Sequence, residues 1–129
     1  MVTNANPLAP NRIFINSKGF IEIKVVGIQD QQTVAAMGKV IEELIWKVKS
    51  DEKPVLILDD ITRMDDADSG ARHEVVNVAK KLEFRKTAML GTSGVFRLGA
   101  NLMFQAVGKG DSLKYFTNRE QAVEWLLES

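Results

Sequence analysis

Of the 129 residues, 45% are hydrophobic and 26% charged, and 17 Lys and Arg balance 17 Asp and Glu. That composition fits one globular domain and excludes a disordered, collagen-like or disulfide-built chain. The chain has no Cys, hence no thiol chemistry or cysteine zinc site, and its single histidine, His73, cannot supply a multi-histidine metal centre. Zero net charge provides no default surface for nucleic acid, which requires clustered positive charge.

Met1 to Asn11 is polar, lacks Lys and Arg, and holds two of the three prolines. It reads as a loose N-terminal arm ahead of one domain over 12–129. It has neither the basic start nor the apolar run of a signal peptide. No apolar run approaches the roughly 18 residues of a membrane span, so a cytoplasmic location is expected.

Arg12 to Asn16 and Phe20 to Val26 read as two strands of an antiparallel hairpin. In the second, Ile21, Ile23 and Val25 alternate with Glu22 and Lys24, the period of a half-buried strand. Asn16-Ser17-Lys18-Gly19 supplies the turn. Asp30 to Lys49 reads as a long amphipathic helix whose inner face carries Val34, Met37, Ile41, Leu44, Ile45 and Val48, with Asp30 suited to its N-terminus. Val55 to Leu58 is a continuous apolar run, as in a strand covered on both faces. A polar loop is expected from Thr62 to Ser69.

The second helix is expected over about Asp68 to Leu82, with Ala71, Val75, Val78 and Leu82 inward. A short strand over Thr87 to Leu90 leads through Gly91-Thr92-Ser93-Gly94 into a third helix, Val95 to Val107. Leu113 to Phe116 is the last strand. Thr117-Asn118-Arg119-Glu120 has capping-box spacing and opens a final helix that ends at Leu127. The order ββαβαβαβα predicts an α/β fold: one sheet of about five strands, mostly parallel with an N-terminal antiparallel hairpin, flanked by four helices.

Several groups suggest chemistry. Asp59, Asp60, Asp65, Asp66 and Asp68 are carboxylates that suit a hard cation such as Mg²⁺. The preferred reading places them at a helix N-terminus, where the macrodipole favours them. Gly91, Thr92, Ser93 and Gly94 form a turn whose N–H groups can hold an anion, or in which Ser93 caps the helix. The turn lacks a P-loop lysine. His73 falls on the polar face of its helix, and no Ser–His–Asp arrangement can be assembled, so no catalytic residue, metal or cofactor is assigned.

In the third helix only Arg97, Asn101 and Gln105 are polar, in one narrow stripe. Phe96, Leu98, Leu102, Met103 and Phe104 cover much of the rest. Such a helix is expected to pack on at least two sides, within the core or against an apolar ligand or a partner. Leu102→Asp is accordingly expected to be severely destabilising. Trp46 falls opposite the inner stripe of the first helix. It is either an exposed interface anchor or a ring lying over lysine stems.

Two stretches, VLILDDITRMDDADSG and YFTNREQAVEWLLES, taken with the element order, resemble the SpoIIAA-like branch of the STAS domain superfamily (sulfate transporter and anti-sigma factor antagonist domains). The first matches a buried strand, a loop and a helix opening at an Asp-Ser-Gly motif. The second matches an aromatic strand and a capped helix carrying Ala122, Trp125 and Leu126. The resemblance spans about Arg12 to Glu128. It implies a non-enzymatic regulatory or protein-interaction domain, with Ser69 as the position a kinase would modify. Asp68-Ser69-Gly70 offers one hydroxyl where anti-sigma antagonists carry two. The fold also resembles CRAL-TRIO lipid-binding domains, which implies an alternative: a carrier of a lipid-like apolar ligand lined by helix 95–107. The expected partner is a protein or a second copy, or else an apolar small ligand, and neither nucleic acid nor a membrane span is expected.

Overall fold

The computed structural model describes residues 8–128. Its strands are β1 (Arg12–Ile15), β2 (Ile21–Gln29), β3 (Leu56–Ala67), β4 (Lys86–Leu90) and β5 (Leu113–Phe116). Its α-helices are α1 (Gln31–Ser50), α2 (Ser69–Lys81), α3 (Arg97–Val107) and α4 (Arg119–Leu127). The five strands form one sheet in the order β1-β2-β3-β4-β5. β1 pairs antiparallel with β2 and every other pairing is parallel.

The hairpin closes because Asn16 Oδ1 accepts from the N–H groups of Lys18 and Phe20, each at 3.0 Å, while Gly19 takes φ +86°. Three helix starts are fixed by side-chain caps. Asp30 accepts from Thr33 N, Asp68 from Ala71 N and Asn118 from Gln121 N, at 2.8, 2.8 and 2.9 Å. The final helix is therefore capped by Asn118, one residue later than the Thr117 spacing predicts.

Alternation along the strands divides the core into two layers. Ile21, Ile23, Val25 and Ile57 pack under Val34, Met37, Ile41 and Ile45 of α1. Met89 and Tyr115 meet Ala100 of α3 on the same face. Leu56, Leu58, Ala88, Leu90 and Phe116 point to the other face, against Ala122 and Leu126 of α4. Three helices thus cover one face of the sheet and one covers the other.

Three expectations are corrected. Residues 62–67 do not form a loop: β3 continues to Ala67, paired with β2 through Val26↔Arg63, Gly27↔Met64, Ile28↔Asp66 and Gln29↔Ala67. β4 stops opposite Asp60, so this extension has a neighbour on one side only, and polar side chains such as Arg63 and Asp65 remain in water. Two register shifts, one beside Gly27 at φ +79°, erase the alternation that would have marked the strand.

The second correction concerns the arm. Residues 1–7 lie outside the described residues, but Leu8 is in the core and Asn11 is buried. Asn11 Oδ1 accepts from Val26 N at 2.8 Å and its Nδ2 donates to Gln29 Oε1 at 2.8 Å, which satisfies the β2 irregularity.

The third concerns α3. It follows a 3₁₀ turn over Gly94–Phe96 and packs on α2 and β5, but only Ala100 and Val107 are fully buried. Leu98 is 71% exposed and Leu102 60%. α3 packs on two sides, against α2 and β5, but its apolar circumference extends beyond both, and among the described residues no element covers the outer flank. No described helix is long and apolar enough to cross a membrane.

Candidate functional site

Between the sheet and the α1–α2–α3 layer lies a cavity of about 440 Å³. Its floor is the odd-numbered face of the central strands, including Ile57 and Met89, and its walls include Met37, Val75 and Met103. The volume falls within the range of small-ligand pockets, and the lining is overwhelmingly apolar.

Two of the polar groups in the lining, Asp59 and Thr87, have no hydrogen-bond partner among the described residues. Asp59 continues the phase of Ile57 and Ile61 and so faces the cavity. Its carboxyl makes no hydrogen bond or ion pair among the described residues. Burial, and secondarily the charge of Asp60, pushes it up to about 7. Thr87 on β4 is nine-tenths buried and also lines the cavity, and its buried Oγ1 has no hydrogen-bond partner among the described residues. Ile57 is in register with Thr87 and Asp59 with Met89, so the two polar groups sit on neighbouring strands, two residues apart along them, on one face.

The acidic residues do not converge. Asp60 points to the opposite face, where its carboxylate accepts from Thr62 N and Oγ1 at 2.9 and 2.6 Å and lies 4.0 Å from Lys24 Nζ. Asp65 and Asp66 are exposed, and only Asp68 sits at a helix start. Among the described residues no three His, Asp or Glu side chains are grouped to hold a metal ion. His73 is exposed.

The Gly91–Gly94 turn is held by the protein itself. Gly91 N donates to Phe116 O at 2.9 Å, and Ser93 Oγ accepts from Val95 N at 3.1 Å. Tyr115 Oη donates to Ser93 O at 2.7 Å, and a Cβ on Gly91 would lie 2.1 Å from the Tyr115 hydroxyl oxygen. The Gly91 N–H expected to receive an anion is thus already engaged, and Ser93 takes the capping role. Ser69 is exposed and is the first residue of α2. It shares a shallow depression with Gly70, both capping carboxylates, Asp30 and Asp68, and the start of α1.

The expected apolar surface separates into parts. Phe96 and Met103 line the cavity, whereas Phe104 packs on the cluster of Met89, Ala100 and Tyr115. Leu98 and Leu102 point outward, with Val95 at 83% and Phe96 at 60% exposure beside them. Trp46, 73% exposed, is on the outer face of α1, and α2 lies between α1 and α3. The Asp59–Thr87 pair is not predicted from the sequence. Its signal is present in the period-2 phase of VLILDD and TAML, but the side of the sheet that holds a cavity depends on helix packing.

A family model described as SpoIIAA-like matches residues 20–127. Comparison with curated proteins returns no match. Among solved structures, an uncharacterised Shewanella loihica protein with a SpoIIAA-like fold is 19% identical with a TM-score of 0.67, over 90% of this chain and 91% of that one. The anti-sigma factor antagonist SpoIIAA in its unphosphorylated form is 17% identical with a TM-score of 0.61, over 90% and 96%. An anti-sigma factor antagonist from Mycobacterium paratuberculosis is 14% identical with a TM-score of 0.64, over 97% and 100%. These likenesses establish the fold, and the family match over most of its length places this chain in the SpoIIAA-like family.

Proposed function

We propose that the domain is a non-enzymatic regulatory module that acts by binding a protein partner or a second copy through the outer flank of α3. The observation that carries this reading is the row of exposed apolar side chains, Val95, Phe96, Leu98 and Leu102, along one flank of the domain. Leu98 and Leu102 are one helical turn apart and form a ridge, the geometry with which helices meet partners. The fold shared with anti-sigma factor antagonists supports the same reading. Ser69, exposed at the start of α2, is the modification point of this reading.

The test compares wild type with Leu98→Asp and Leu102→Asp. Both positions are exposed, so the variants keep the wild-type melting temperature within about 0.5 kcal/mol of stability. Sedimentation velocity over a concentration series and capture from the source cells then read binding. Loss of the complex in variants that fold normally supports the reading, and undiminished binding refutes it. Intact-mass analysis of protein from its native cells tests Ser69, and absence of a phosphorylated fraction removes that element.

The cavity favours a second reading, a carrier of a lipid-like apolar ligand with α3 as one wall. Native mass spectrometry separates the two: a co-purifying apolar molecule supports the carrier, a ligand-free dimer the interaction module.

A further inference from the structure

We propose that the Asp59–Thr87 pair is a head-group site within the cavity for an amphiphile bearing a cationic amine, the apolar tail occupying the space under α1, α2 and α3. This presupposes the carrier reading and assigns the chemistry of its ligand.

The cavity contains two polar groups with no partner among the described residues, and they share one sheet face, two residues apart on neighbouring strands. Among the described residues Thr87 Oγ1 is buried and unpaired, a state that costs free energy until a ligand supplies the missing hydrogen bond. Asp59 lines the same space with no hydrogen-bond donor directed at it among the described residues. By sheet geometry two residues diagonal across neighbouring strands have Cα atoms roughly 8 Å apart, within reach of one bridging group.

Charge selects the class of head group. The four α1 residues on the wall, Val34, Met37, Gly38 and Ile41, are uncharged, and so are Phe96, Gly99, Ala100 and Met103 around α3. α2 contributes Arg72, which is exposed and bonded to Ala67 O, and β3 contributes Asp66, also exposed. Both are exposed, and their charges are opposite. Gln29 is committed to Val26 O and Asn11, and the Tyr115 hydroxyl to Ser93 O. The interior charge is therefore that of Asp59, with Asp60 adding negative potential from the other face. A carboxylate head would meet like charge. An alcohol offers one donor and no charge. A primary ammonium offers three donors, enough for an Asp59 oxygen and Thr87 Oγ1, and it neutralises the half-buried acid.

The ammonium binds the ionised form of Asp59. With that carboxyl titrating near 7, affinity for an amine that stays protonated rises about tenfold between pH 6 and pH 8. A neutral head shows no such gain.

The experiment uses the full chain and measures displacement of an environment-sensitive fluorophore by dodecylamine, dodecanol and dodecanoate below their micellar concentrations. At pH 8 dodecylamine is expected to bind at least tenfold more tightly than either rival, with the pH gain stated above. Asp59→Asn is expected to abolish both the preference and the pH dependence while still binding dodecanol. Thr87→Val, which keeps the branched shape but removes the hydroxyl, is expected to weaken dodecylamine severalfold. Equal binding of all three probes, or an amine preference that survives Asp59→Asn, overturns the head-group assignment and leaves the carrier reading standing. Failure of every probe to bind overturns both.

Discussion

Arg119 Nη2 donates to Glu22 Oε1 at 2.8 Å and so joins the first turn of α4 to the start of β2, 97 residues earlier in the chain. Glu22 is buried, with Asn16 Nδ2 donating to the same oxygen at 3.0 Å and Lys24 Nζ 3.5 Å from the other. Burial raises the Glu22 carboxyl, but the hydrogen bonds from Arg119 and Asn16, with the charges of Arg119 and Lys24, outweigh it and hold the group below the ordinary carboxylate value. The network closes the face of the sheet that α4 alone covers.

Arg119→Ala leaves that carboxylate buried with weaker partners and is expected to cost about 1–3 kcal/mol in urea unfolding at pH 7. A lowered carboxyl contributes stability that is present above its unfolded value of 4.5 and is lost as pH falls through its folded value. The gap between wild type and variant therefore narrows below about pH 4. A gap that is constant from pH 7 to pH 3 would show that Arg119 acts through packing alone.

Asp59 has the opposite sign. Its folded value is about 7 against 3.8 for the free side chain, so between those limits the unfolded chain has lost a proton that the folded protein still holds. Stability then falls as pH rises from about 4 to 7 and levels off above. Asp59→Leu is expected to flatten this slope and to raise stability at pH 8 by about 2–4 kcal/mol. Denaturant titrations at pH 5 and pH 8 check it, and a variant less stable than wild type at pH 8 would refute it.

Gly91 passes under the Tyr115 ring, and a methyl group there would lie 2.1 Å from the hydroxyl and 2.7 Å from Cζ. Gly91→Ala is expected to lose about 2–3 kcal/mol and to break the bond from Tyr115 to Ser93 O. Tyr115→Phe in that background removes the closest atom and recovers part of the loss, so the two substitutions are non-additive. Additive melting temperatures across the double-mutant cycle would contradict the contact.

Trp46 is 73% exposed on α1. Trp46→Ala is expected to leave unfolding within about 0.5 kcal/mol of wild type and to weaken self-association if this ring anchors a contact between copies. Loss of folding would place the ring in the core, and an unchanged association constant would remove it from any such interface.

The sequence by itself determined the class of fold, the helix inner faces and most element limits, because those features depend on neighbours close in the chain. Ile21, Ile23 and Val25 alternate, Val34, Met37, Ile41, Ile45 and Val48 repeat at helical spacing, and Asp30 and Asp68 cap the helices that follow them. Tertiary structure alone decided features that depend on an absent or distant neighbour. Thr62 to Ala67 is polar yet becomes strand, because β2 extends alongside it while β4 stops short. Leu98 and Leu102 are as apolar as core residues yet face outward, because no described element crosses that flank. Asp59 and Asp60 are identical residues on one strand, and the pleat sends one into an apolar cavity and the other to Lys24 and Thr62. Alternation showed that they part; only the packing of three helices over one face and α4 over the other decided which would be left without a partner.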